Sequence, residues 1–157
     1  MTGAASRARV ARLRAALRVA GADAFVTMAP PHVRYLSGYP LEGCAALVTG
    51  RGLWLLPAGL LAEQVRRACP WARVRPWRGG LWATLATVFK DTGVRRIAYE
   101  AGRMTVAELT QLRRAAGRPA RRGGRRLIRT SEMVERLRAV KEPGELRRLR
   151  RACAIVD

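Results

Sequence analysis

Six strand-sized segments alternate with stretches whose apolar residues recur every third or fourth position, and a chain punctuated this way is confined to a layered α/β architecture. The first helix reads over residues 7–20, with Val10, Leu13, Ala16, Leu17 and Ala20 on one face, arginines between them and Gly21 as a left-handed C-cap. A short apolar strand follows over 24–28, ended by Pro30 and Pro31, which also start a helical turn over 32–37. Residues 45–49 and 53–56 flank Gly50-Arg51-Gly52 and read as a β-hairpin.

The second half repeats the alternation. Leu60, Leu61, Val65 and Ala68 mark a helix that Pro70 ends; residues 73–77 make a strand, and after the Gly79-Gly80 break a helix spans 81–92. A strand over 96–100 precedes Thr105 and Glu108, spaced as a capping box, so a helix starts there and runs to about Ala116. A glycine- and arginine-rich loop over 117–124, a short strand over 126–128 and a helix over 131–140 come next. Pro143 then sits at the first position of a last helix bearing Leu146, Leu149, Cys153 and Val156. The hairpin is antiparallel and the crossovers are long enough to be parallel, which predicts a mixed β-sheet with helices on both faces. The predicted core is Leu13, Leu17, Phe25, Val26, Leu47, Val48, Leu55, Leu85, Ile97 and Leu112.

Composition narrows the function classes. With 49% hydrophobic and 27% charged residues the chain is neither disordered, collagenous nor a coiled coil, and no apolar run approaches the ~20 residues of a membrane span. Three cysteines without CxxC spacing argue against a disulfide framework or zinc knuckle, and point to a reducing cytoplasm. The arginines of residues 1–22 superficially resemble a transit peptide, but the segment runs straight into a capped helix end and a strand, which marks it as the domain's first helix. The formal net charge of +20 raises nucleic-acid binding; yet the charge is nearly all arginine, scattered over successive helices, with no reader motif and no aromatic interleaving. Nonspecific adhesion to polyanions at low salt accounts for it.

His32 is the single histidine, so a catalytic triad or an HExxH site would have to build on it, and no residue stands at a diagnostic spacing from it. A Cys44–His32 nucleophile pair has no support in the sequence. Gly50-Arg51-Gly52 leads into a strand and is a turn, not a phosphate loop. Glu132 with Glu135, and Glu142 with Glu145, lie three apart on helices without a histidine between them, and read as solvated acids at helix starts. The residues predict a fold and no catalytic or metal site.

Two stretches carry a family resemblance. An RL-rich helix leads to Gly21-Ala22-Asp23-Ala24 and then to His32-Val33-Arg34-Tyr35-Leu36-Ser37-Gly38-Tyr39; later Leu137-Arg138-Ala139-Val140-Lys141 precedes Glu142-Pro143-Gly144-Glu145-Leu146. Both resemble the amino-terminal domains of the creatinase, prolidase and Xaa-Pro aminopeptidase family, the second matching the junction to its catalytic domain. His32 replaces the usual Asn, and Pro57-Ala58-Gly59 stands where many peptidase members carry a different segment. The resemblance implies a ribonuclease H-like α/β domain over residues 1–141, with 142–157 as linker and first helix of a catalytic domain beyond this chain. It implies a manganese or cobalt pair in that domain only, a proline-containing peptide as substrate of the full enzyme, a homodimer, and no catalytic residue here.

Within the chain, the loop 37–44 is expected to wall a substrate pocket, with Tyr39, Glu42 and Cys44 held outward on a glycine-flanked loop and His32 and Tyr35 supporting it. His32, Tyr35, Tyr39 and Glu42 are thus the candidate substrate-binding residues. The apolar stripe of the last helix is expected to lack a partner on its own domain, leaving that helix packed on another copy, displaced or mobile. A stand-alone binding or oligomerisation module and a basic nucleic-acid-binding protein are the alternative readings.

Overall fold

The computed structural model describes residues 3–117 and 124–156. Helix α1 (Gly3–Val19) leads to strand β1 (Ala24–Thr27), helix α2 (Pro30–Ser37) and the hairpin β2 (Cys44–Thr49) and β3 (Gly52–Pro57). Then come α3 (Ala62–Ala68), β4 (Arg73–Val74), α4 (Leu81–Thr92), β5 (Arg96–Glu100), α5 (Val106–Ala116), β6 (Arg126–Thr130), α6 (Met133–Ala139) and α7 (Pro143–Val156). The strands form one six-stranded mixed sheet in the order β4-β3-β2-β1-β5-β6. β1 is its pivot, antiparallel to β2 and parallel to β5.

Alternation along the strands divides the core in two. Phe25, Ala46, Val48, Leu53, Leu55 and Ala98 point to one face with Leu13, Leu17, Leu36 and Val65 from α1, α2 and α3; Ala24, Val26, Leu47, Leu56 and Ile97 point to the other with Leu85, Phe89 and Leu112 from α4 and α5. Helices therefore cover both faces, and all ten predicted core residues are buried. Where local chemistry dictated an element it formed as expected: Gly21 adopts φ +67° after α1, and the Thr105–Glu108 capping box opens α5. β4 is shorter than its sequence suggests because Pro76 has no N–H to give the ladder, although the amides of Arg75 and Trp77 still bond to Leu55 and Pro57 of β3. The loop prediction at 117–124 falls largely outside the described residues.

Leu17 is 2% exposed at the centre of the α1 face. Leu17→Ala should cost about 2 to 4 kcal/mol in a denaturant titration, the transfer and cavity cost of a buried leucine, and an unchanged midpoint would refute this packing.

Candidate functional site

Beyond the C-terminal ends of the parallel strands β1 and β5, helices α1, α2, α6 and the start of α7 converge on one face of the sheet, and the charged side chains buried there were not identifiable from spacing. The first is Arg9, 1% exposed although it sits on an arginine-rich helix. Its Nε donates to Glu142 Oε1 at 3.0 Å, while Nη2 donates to Glu142 Oε2 at 2.8 Å and Glu145 Oε1 at 3.1 Å. Nη1 donates to the Tyr35 carbonyl at 3.0 Å, and the guanidinium lies 4.5 Å from the centroid of the Tyr35 ring. Burial works against the charge on Arg9, but the hydrogen bond and charge of Glu142, then Glu145 and Tyr35, raise its pKa. The Arg9 hydrogen bond in turn holds Glu142 below its ordinary value against burial, and Arg12 adds a contact at 2.6 Å.

The second is His32, also 1% exposed. Its Nδ1 lies 3.0 Å from Glu100 Oε2 and 3.3 Å from Thr27 Oγ1, and its Nε2 lies 3.1 Å from Glu135 Oε1. Glu100 reaches on to accept the Val134 amide at 2.9 Å, capping α6, whose own N-cap residue Glu132 makes no side-chain cap bond. Arg103 donates to Glu135 Oε1 at 2.8 Å. Burial opposes ionisation of Glu135, yet Arg103, its own backbone amide, Glu100 and His32 outweigh it and bring its pKa to about 2.

These contacts correct three expectations. His32 does have partners, supplied through space by β5 and α6. Glu135, Glu142 and Glu145 are not solvated helix-start acids: Glu142 and Glu145 pair with the buried Arg9, and Glu135 contacts the buried His32 and pairs with Arg103; only Glu132 of the four is exposed. Cys44 does not point outward: it is 6% exposed, its Sγ donates to the Ala45 carbonyl, and burial pushes its pKa up to about 12, which removes it as a nucleophile at neutral pH. Of the remaining loop residues, Tyr39 is half-buried and its hydroxyl accepts from Gln64 Nε2 at 3.0 Å, while Glu42 is exposed. Tyr35 is buried, its hydroxyl donating to the Leu137 carbonyl at 3.2 Å. Gly38, at φ +79°, caps α2 and turns the chain into this loop.

The apolar stripe of the last helix lacks a partner on its own domain among the described residues, as expected, although the helix is anchored at its start. Its first turn is held by Arg9, while Leu146, Leu149, Cys153 and Ile155 are exposed.

His32, Glu100 and Glu135 form a three-ligand cluster among the described residues. The set does not fit a manganese or cobalt pair. Arg103 already neutralises the Glu135 oxygen that faces His32, and the other Glu100 oxygen is committed to the Val134 amide, so the cluster offers too few free carboxylate oxygens for two divalent ions.

The family model of the creatinase/prolidase N-terminal domain matches residues 9–140, from Arg9 itself to the end of α6 and Val140. The chain belongs to this family. Among solved structures this creatinase/prolidase N-terminal domain resembles that of the cytoplasmic peptidase PepQ from Mycobacterium tuberculosis, at 30% identity over 83% of this chain and 98% of that one, with a TM-score of 0.73. The Xaa-Pro dipeptidase from Bacillus anthracis shares its fold at 20% identity and a TM-score of 0.82, covering 90% of this chain and 38% of that one. The prolidase from Pyrococcus horikoshii does so at 17% identity and a TM-score of 0.72, covering 95% and 40%. The chain thus spans about two fifths of the length of those two relatives. A search of curated proteins returned no match.

Two measurements check the site of this domain. Glu142→Ala should cost about 3 kcal/mol or more in urea titration because it leaves Arg9 buried with half its carboxylate partners, whereas Arg9→Met should cost less, since no buried charge is stranded; equal effects would refute the burial argument. The lowered pKa of Glu135 means its contribution to stability is fully present above the ordinary carboxylate range and is lost as pH falls toward about 2. The stability gap between the wild type and Glu135→Gln should therefore narrow from pH ~5 to ~2, and a gap independent of pH would exclude an ionised Glu135 as its source.

Proposed function

We propose that this chain is the non-catalytic N-terminal domain of a larger metal-dependent peptidase of the Xaa-Pro dipeptidase and aminopeptidase kind. In that enzyme it would pair with a second copy and wall the substrate pocket with the loop 37–44. The observation that carries the reading is the coverage: a chain matched to the domain family over residues 9–140 aligns with about two fifths of an Xaa-Pro dipeptidase and of a prolidase. The junction supports it physically, because Arg9 fixes the direction in which α7 leaves the domain. Helix α7 then presents Leu146 and Cys153 on a face suited to a following catalytic domain, which would hold the manganese or cobalt pair. The free thiols Cys44, Cys69 and Cys153 fit a reducing cytoplasm, and no helix among the described residues is long and apolar enough to cross a membrane.

In this reading His32 and Tyr35 act from behind the pocket wall. His32 locks α2 to β5 and α6, Tyr35 locks it to α1 and α6, and Gly38 then turns the chain so that Tyr39 and Glu42 reach the substrate. A peptide substrate offers an amino group to Glu42 and an apolar side chain to Tyr39.

In the full-length protein, Tyr39→Ala and Glu42→Gln should each raise KM for Xaa-Pro peptides several-fold with kcat and metal content little changed, the pattern of lost ground-state binding. The 157-residue chain alone should show no manganese-dependent cleavage. Unchanged kinetics in both variants would remove the pocket-wall role, and cleavage by the isolated chain would overturn the non-catalytic assignment.

A further inference from the structure

A groove of about 910 Å³ runs between α2 and its following loop on one side and α7 on the other. Arg34, Arg138, Lys141 and Arg148 line it, and none of them has an ion-pair partner among the described residues; Lys141 donates only to the carbonyls of Arg138 and Ala139. Two acids also line it. Glu145 is committed to Arg9, and Glu42 makes no ion pair among the described residues, so the groove keeps a net excess of positive charge. Between the cations lie Leu41 and Leu149, the latter 49% exposed. Gathered cations repel one another, and the repulsion is relieved by an occupant of opposite sign.

We propose that this groove docks an acidic segment of another polypeptide, carrying apolar side chains that seat on the exposed Leu149 and Ala152. Charge and shape select this occupant. A second copy of the chain has 31 Lys and Arg against 11 acids, and those acids stand singly, so it offers no acidic segment of the kind required. A nucleic-acid strand would satisfy the cations but would stack on aromatic faces, and the one aromatic side chain lining the groove, Tyr35, is 5% exposed. A flat bilayer meets the rims of a concave groove and leaves its floor unfilled. The second cationic cleft, around Arg14, Arg18 and Arg51, lies at the C-terminal ends of α1 and α4, whose carbonyl dipoles disfavour an anion. The groove combines positive charge with an apolar floor, as recognition of an acidic amphipathic segment requires.

The inference does not rest on the peptidase reading, because it is tested on the 157-residue chain by itself. Fluorescence anisotropy with a short labelled helical peptide bearing Leu on one face and Glu on the other should show saturable binding at ~0.15 M salt. The double substitution Arg34→Glu with Arg148→Glu should weaken binding about tenfold or more, and Arg113→Glu with Arg114→Glu on α5, the same change in net charge, less than about threefold. Leu149→Ser should weaken it several-fold, as should replacing the peptide's leucines by serine. Circular dichroism establishes that each variant is folded, and Arg148→Ala alone replaces the double variant if the latter melts early. Equal losses from the groove and α5 pairs, indifference to the leucines on either side, or equal displacement by oligothymidine of matched charge would overturn the proposal in favour of nonspecific polyanion adhesion.

Discussion

A guanidinium removed from water must replace its hydration with fixed partners, and Arg9 does so with four hydrogen bonds and an aromatic face. Its fork matches one orientation of Glu142, so the angle between the first helix and the last is set by covalent geometry more than by apolar packing, which at the start of α7 is sparse. Tyr35 is drawn into the same arrangement through its carbonyl and ring, and its hydroxyl extends it to the end of α6. One cation thereby registers α1, α2, α6 and the junction against one another. Such a pair need not add net stability over an apolar replacement; what it supplies is a unique geometry for the start of α7 against α1.

His32 performs a related service a turn earlier. The sheet divides its side chains cleanly between two faces, but strand ends are where polar groups can enter, and Thr27 and Glu100 occupy the adjacent ends of β1 and β5. His32 bridges them to Glu135, and Glu100 uses its second oxygen to hold the amide end of α6. Arg9 and His32 are thus both buried under the helices of one face of the sheet, Arg9 answered by Glu142 and Glu145 and His32 by Glu100 and Glu135.

Period and punctuation made the architecture legible in advance: the short apolar runs of β1 and β2, the Pro30-Pro31 start of α2, the Gly21 cap and the Thr105–Glu108 box all encode their own local structure. The charged site was not legible, because its pairings join residues 26 to 136 positions apart, and an arginine on a polar helix face reads as solvated whatever later covers it. Arg9 is indistinguishable in sequence from Arg7 and Arg14. Glu135 and Glu142 likewise look like ordinary acids in a first helical turn, since spacing along a helix reports only neighbours on that helix. One signal was present: the single histidine stands where the family carries an asparagine, and a buried imidazole at such a turn calls for polar partners on both ring nitrogens.

The pairing of Arg9 with Glu142 also sets an order of events during synthesis. The residues are separated by 133 positions, which at ordinary elongation rates of ~5 to 20 residues per second is about 7 to 27 s of translation. Through that interval the sheet can assemble strand by strand, but Arg9 has only the Tyr35 carbonyl and ring to answer it, and no carboxylate. The fold closes only when the junction has left the ribosome. The nascent chain therefore has a built-in delay, with its seam left open until whatever follows residue 145 is already emerging.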